Sequence, residues 1–593
     1  MKSAIATLRS MDEPRRYPLI VCLLSLLIAL SFRTVGIDFG LPHALARPDE
    51  TTVANASFEI LRSGTPKFFN YPSLYPTILS LLIGTHYGIG RVSGRYSSSE
   101  DLVAEWTIDP SNVLLLNRSL SVAFGVATVL VVYWLGCYIW GRRAGAVASF
   151  FISTAYLHVR ESHFGTVDTA LTFFCMVALT AMVRSLSKTS IKPLLAAGVL
   201  SGLAISVKYN AIVLLIPLLL CVIDRMAHQS YTALGGTKAV LILGIGVAFG
   251  FLVGTPYLIW DWDTFRTDLW AETVAKLGGA PHNGISGGGR GWLQHLRVSL
   301  GYGIGWPMLI AALVGLFVSL RQKRLPALIL ASFAIAWWGL TGASLTVFVR
   351  YALPLVPIAC LFAAGTIESI ASQFSRRWEL PATAVLCLLV ALLPTARSWE
   401  FVRLLRVPDS RLVAGEWIQQ HIPSGAEIGM IGDPAGHPLI SGDADQVEDA
   451  RAYLIERYGG RGVGFARLAQ FLREAELPTY RQWKTFQNVD GWVDWYTDQP
   501  VPAAKPTVVV APEYPVYRTY LHLGAVNWLE NQLAQEYALV YEHKSLKEIA
   551  GRSFDRQDLF FLPFAVFDDI DRPGPSFRIY VRRDALSNMS LLR

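Results

Sequence analysis

Arg47-Pro48-Asp49-Glu50 sets two adjacent carboxylates directly after the first long apolar run of the chain. Charge beside a membrane-length segment is costly to desolvate and points to a site, the alternative being an ordinary solvated acidic loop. Other ionisable residues fall where the same side of a membrane can hold them: Arg160-Glu161-Ser162-His163, Asp168, Lys208-Tyr209-Asn210 and Arg350-Tyr351. Carboxylates and separated cations at one interface suit a reaction in which a base activates a nucleophile while a phosphate departs. Lysine as a compact point charge and arginine as a bidentate fork are the usual phosphate partners, which assigns Lys208 and Arg350 to a phosphate. Each has a structural alternative. Arg350 can be a snorkelling anchor, Asp168 can cap a helix starting at Thr166 or Val167, and His163 can hold backbone rather than ligand. A metal bound by Asp49, Glu50 and His163 is conceivable but weakly signalled, so no metal is assigned and no cofactor is required.

The elements that must position these residues are membrane helices. The chain has 593 residues, 52% of them hydrophobic and 16% charged, with mean hydropathy +0.38; soluble domains carry roughly 25% charged residues. Apolar runs fall near 17–36, 117–139, 144–160, 166–184, 193–207, 210–223, 237–260, 302–320, 325–342, 351–371 and 380–397. The fold expected is a polytopic all-α membrane bundle of about eleven to thirteen transmembrane helices over 1–397, followed by a C-terminal extracytoplasmic α/β domain over 398–593. Basic clusters (Arg15-Arg16, Arg142-Arg143, Arg184 with Lys188 and Lys192, Arg225, Arg321 to Arg324, Arg376-Arg377) then face the cytoplasm, with the N-terminus. The first outer loop becomes 37–116. Within it, 50–63 reads as an amphipathic helix lying on the membrane surface or, alternatively, packed on the bundle. Residues 72–91 either lie in the interface or re-enter, or they cross with 92–116 returning; the acidic, serine-rich 97–101 favours the first.

The outer loop 261–301, with Gly278-Gly279 and Gly287-Gly288-Gly289, is a lid or a slack connector. In the tail, 412–421 reads as a helix, and 428–431, 507–510 and 577–581 as strands. All six cysteines lie in apolar runs without metal-ligand spacing. A cleaved signal peptide ending at Ala44-Leu45-Ala46 lies too far from the apolar core, so the first helix is retained. No basic, aromatic-interleaved stretch calls for nucleic acid.

The ordered set resembles the integral-membrane glycosyltransferases of the C-type superfamily, in the protein O-mannosyltransferase and aminoarabinose-transferase branch. It comprises Arg47 to Glu50, Tyr71-Pro72-Ser73-Leu74-Tyr75, Arg118, Gly141-Arg142-Arg143-Ala144-Gly145, His163 to Thr169, Gly202-Leu203-Ala204 with Lys208-Tyr209, and Arg350 to Pro354. The resemblance implies inverting transfer of a sugar from a polyprenyl-phosphate donor at the outer face of a bacterial inner membrane. Asp49 would be the general base beside Glu50, and Arg118 would join Lys208 and Arg350 on the donor phosphate. Asp168, His163 and Tyr71 would contact substrate, and the acceptor is a protein, lipid or glycan. Where the aminoarabinose branch has Lys-Pro-Pro, this chain has Asn70-Tyr71-Pro72-Ser73, with Lys67 the nearest substitute cation. The rival readings are a transporter or lipid flippase, which would favour mid-membrane charges and repeated halves, and a non-catalytic assembly protein.

Overall fold

The computed structural model describes residues 13–586 apart from 187, 189, 229–232, 279–290, 345, 486–490, 503, 516–525, 548–551, 556–557 and 559. The glycine clusters of loop 261–301, from Gly279 to Gly289, lie outside the described residues.

The first part of the chain is helical: α1 Glu13–Thr34, α2 Pro48–Ser63, α3 Leu74–Val92, α4 Ser99–Ile108, α5 Ser111–Trp140, α6 Arg142–Thr154, α7 Tyr156–Ser162 and α8 Val167–Ser185. It continues with α9 Lys192–Ile205, α10 Leu215–His228, α11 Ala233–Gly254, α12 Trp262–Gly278, α13 Trp306–Gln322, α14 Arg324–Ala343, α15 Leu355–Ala371 and α16 Arg376–Leu405. Seven helices among the described residues are long and apolar enough to cross a membrane, and the pair Trp292–Gly303 and Trp306–Gln322, bent by 111°, would make eight. That is fewer than the eleven to thirteen expected. The shortfall lies in helices that occupy expected positions but are short: α6 has 13 residues, α9 has 14 and α15 has 17. At 1.5 Å per residue they cover about 20–26 Å, less than the ~30 Å hydrocarbon core.

Small residues set a close helix crossing. Gly198 and Gly202 of α9 face Gly246 and Gly250 of α11, and a Cβ on Gly202 would sit 2.1 Å from the Val247 carbonyl oxygen. Such backbone approach replaces the hydrophobic effect as the source of cohesion between helices in lipid. It also fixes the end of α9, where Lys208 emerges.

The segment 72–91 becomes α3, and both its ends are tied to the N-terminal end of α5. Tyr75 donates to Asn117 Oδ1 at 2.9 Å; near the other end His86 lies 3.4 Å from Glu105, which accepts from Asn112 at 3.0 Å. Asn112 and Asn117 are under two turns apart on α5, so α3 does not run the length of that helix.

The tail builds a seven-stranded mixed sheet in the order β2-β3-β1-β5-β7-β6, with β4 on β3. The strands are β1 Glu427–Ile431, β2 Ser441–Gly442, β3 Thr479–Thr485, β4 Val493–Asp494, β5 Val508–Glu513, β6 Tyr537–His543 and β7 Ser576–Arg582. The central strands β1, β3 and β5 pair in parallel, and β7 runs antiparallel to β5 and β6. The expected strands at 428–431, 507–510 and 577–581 fall on β1, β5 and β7. Helix α16 carries on past Arg397, where the composition changes, to Leu405. The tail does not stand apart: Phe560, Phe564 and Phe567 belong to the same buried cluster as the membrane helices.

Candidate active site

Arg47-Pro48-Asp49-Glu50 is the N-terminus of α2. Arg47 is the cap residue, Pro48 holds the first helical position, and the two carboxylates occupy the first turn, where proline and negative charge suit the helix end. Successive helical residues point about 100° apart, so the pair diverges. Glu50 is fully buried and Asp49 keeps 39% of its side chain exposed.

Glu50 accepts from Arg118 at 2.8 to 3.1 Å and from the Gly165 N–H at 2.8 Å. Arg118 is itself fully buried; its remaining donors go to the carbonyls of Ile37 and Phe39 at 2.8 and 2.9 Å, and its guanidinium lies over the Phe39 ring. Every nitrogen of Arg118 is therefore committed to protein. The expectation that it grips a donor phosphate is corrected here: its place is beneath Glu50, bracing α2.

Asp49 faces Arg350, with Nη1 2.9 Å from Oδ2, and Arg47 lies 3.7 Å away. The Arg350 Nε is 3.7 Å from Asp168, whose Oδ1 accepts from Lys208 Nζ at 2.8 Å. Asp168 stands in the first turn of α8, whose cap residue is Thr166. Lys208, in extended conformation between α9 and a 3-10 turn at Tyr209–Leu214, also faces the rings of Tyr71 at 5.6 Å and Tyr351 at 4.8 Å. Burial, with Asp49 nearby, pushes the Tyr71 phenol well above its ordinary range, so the ring is neutral. Asp49, Tyr71, Asp168, Lys208 and Arg350 thus come together.

His163 does not join them. Its Nδ1 lies 2.9 Å from the Val159 carbonyl and its Nε2 3.1 Å from that of Val35. Backbone holds the ring, so its assignment to substrate is corrected. Among the described residues no group of three His, Cys, Asp or Glu side chains is placed to hold a metal ion. Lys67 pairs with Asp261 at 3.0 Å, away from the cluster.

Two aspartates reach the site from the tail. Asp558, nearly fully buried, pairs with Arg47, lies 3.4 Å from Arg160 and 3.7 Å from Arg350. Asp555 accepts from the Val349 N–H at 3.1 Å at the turn carrying Arg350; burial raises its carboxyl above the usual range. The only signal for them in the sequence is an aromatic cluster, Phe554, Phe560, Phe561 and Phe564, around two acids. A buried arginine on α1 holds the far side: Arg33 donates to the carbonyls of Ile152 and Ser153 at the end of α6 and to Ser162. It fixes the break between α6 and α7 and so aims Arg160, which pairs with Glu161.

Residues 67–275 match the family model of dolichyl-phosphate-mannose-protein mannosyltransferases, in agreement with the resemblance carried by the sequence. No curated protein matches the chain. Similar solved structures include the oligosaccharyltransferase of Archaeoglobus fulgidus tethered to an acceptor peptide, at 12% identity and TM-score 0.49, covering 90% of this chain and 80% of that one. Another is ArnT of Cupriavidus metallidurans bound to undecaprenyl phosphate, at 13% identity and TM-score 0.48, covering 94% and 97%.

Proposed function

From a membrane chain whose residues 67–275 match the mannosyltransferase family, we propose an enzyme that transfers a sugar from a polyprenyl-phosphate-linked donor to a hydroxyl acceptor, with inversion and with Asp49 as general base. The acceptor hydroxyl gives its proton to the Asp49 carboxylate as its oxygen bonds to the anomeric carbon. The bond from that carbon to the phosphate oxygen breaks, and polyprenyl phosphate leaves with the electron pair. Lys208 and Arg350 hold the phosphate and take up its developing charge, the positive charge a divalent cation would otherwise bring. Asp168 sets the position of both cations, Tyr71 donates a neutral hydrogen bond, and Glu50 with Arg118 fixes the helix end. The cluster faces the outside of a bacterial inner membrane, with the N-terminus cytoplasmic and the tail extracytoplasmic.

The observation that carries this reading is the difference in exposure among the site carboxylates. Asp49 is 39% exposed, against 0% for Glu50, 5% for Asp168 and 3% for Asp558. A base must reach the acceptor's proton, and Asp49 is the one of these four open to it. The test is transfer of labelled sugar from a polyprenyl-phosphate donor by the purified, reconstituted protein. Lys208→Ala and Arg350→Ala should each cut transfer roughly ten- to a hundredfold at subsaturating donor, the weight of a charge-assisted contact. Wild-type rates in both would remove these residues from the site.

A further inference from the structure

The opposite end of the bundle holds a second basic site. Helix α5 carries Arg118 at the candidate active site; fifteen to twenty residues on, about 22–30 Å along its axis, it reaches Tyr133, Trp134 and Tyr138. These line a cavity of about 600 Å³ together with Leu19 of α1, Arg142 of α6 and Arg184 of α8. A neighbouring cavity of about 240 Å³ shares Tyr138 and adds Lys188.

The charges here are not arranged for one another. Arg143 pairs with Glu379, whereas neither Arg142 nor Arg184 has a carboxylate partner among the described residues. Arg142 also stands at the first position of α6, where the free N–H groups and the helix dipole add positive character to a cation that already repels it. An anion between Arg142 and Arg184 relieves both. The walls say which kind of anion. Trp134 and Tyr138 are 59% and 51% exposed, and the neighbouring α1 presents Leu23, Leu24 and Leu27 outward. A ligand lying there meets apolar surface continuous with the membrane-facing side of α1, which an inorganic ion would leave unused. Basic pockets between helix ends are suited to anionic lipid headgroups.

We propose that this cavity binds the phosphate headgroup of an anionic lipid, between Arg142 and Arg184, with the tail laid along Trp134 and the outer face of α1. The site is separate from the donor site, and it does not depend on the reaction assigned above.

The full-length protein, delipidated and presented with phosphatidic acid or phosphatidylcholine, is examined by native mass spectrometry. The wild type should retain phosphatidic acid in preference to phosphatidylcholine. Arg142→Gln/Arg184→Gln should weaken that retention by about tenfold or more, as expected for lost charge-assisted contacts. Arg376→Gln/Arg377→Gln, the same charge change at the exposed start of α16, should not. Equal retention by the first variant, or equal loss in the second, overturns the site. Displacement of the lipid by equimolar inorganic phosphate overturns the lipid assignment in favour of a soluble anion. A photocrosslinking phenylalanine in place of Trp134, with both arginines intact, gives a check independent of the arginine variants: it should capture phosphatidic acid, and failure to capture it rejects the proposed path of the tail.

Discussion

Because a helix turns about 100° per residue, the two acids of Arg-Pro-Asp-Glu serve different ends, and their substitutions should separate cleanly. Asp49→Asn keeps the size and most hydrogen bonds of the side chain while removing the base. General-base assistance is worth 10²–10⁴, so turnover should fall at least about 10²-fold with donor binding and thermal stability little changed. Retained turnover in a folded Asp49→Asn protein would reject the mechanism. Glu50→Gln attacks a different quantity. It leaves Arg118 buried against Phe39 without its counter-charge, and breaking one partner of a buried pair costs about 3–5 kcal/mol. The measurement is the melting temperature of the purified protein, which should drop for Glu50→Gln and hold for Asp49→Asn. Equal stability of the two would show that the Glu50–Arg118 pair does not brace the helix.

Among elements, α3 bears most on topology. Its 19 residues are long enough but not apolar enough to cross a membrane, polar contacts hold both ends to the first turns of α5, and the following α4 touches the tail through Arg467 and Asp101 at 3.8 Å. A cysteine at exposed Ser97, between α3 and α4, should react with a membrane-impermeant thiol reagent from the same side as one at exposed Ser424 in the tail. Protection of Ser97 while Ser424 reacts would mean that α3 crosses. The positions of the apolar helices and of β1, β5 and β7 were legible in the chain because long apolar runs and Val/Ile-rich stretches report local burial. So were Asp49, Asp168, Lys208 and Arg350, since charge beside a span is conspicuous. What escaped was partnership. Arg118 looked like a phosphate ligand because nothing local announces its pairing with Glu50, 68 residues earlier. Asp558 meets Arg47 across 511 residues, and no periodicity carries contacts over that distance. The number of crossings was overcounted for another reason: α6 and α9 lie where apolar runs were expected but are too short to span, and hydropathy reports composition rather than reach.

For the whole molecule, the tail is joined to the segment between α1 and α2 through two buried histidines, and that joint should be sensitive to acid. The His43 Nε2–H donates to the His437 carbonyl at 3.0 Å, while its Nδ1 accepts from the Leu45 N–H at 3.2 Å. His437 in turn donates from Nε2 to Ile431 at 3.1 Å, at the end of β1. Both rings are neutral in this arrangement, and protonating the His43 Nδ1 would remove the acceptor that Leu45 uses. Burial pushes His43 down to about 4, with Arg411 adding to the effect, and pushes His437 down to about 3. In the unfolded chain both return to about 6.5. Between these values the unfolded state binds more protons than the folded one, so stability rises with pH across that window. The contribution is complete above about pH 6.5 and is lost progressively as the pH falls toward 4 and below. Hydrogen exchange should therefore show residues 41–47 and 431–439 losing protection together on acidification from pH 7 to 5, ahead of the membrane helices. His43→Gln, which keeps a donor for the His437 carbonyl but does not titrate, should flatten that dependence. Unchanged protection of both segments down to pH 5 would remove the histidine joint as the acid-sensitive link between tail and bundle.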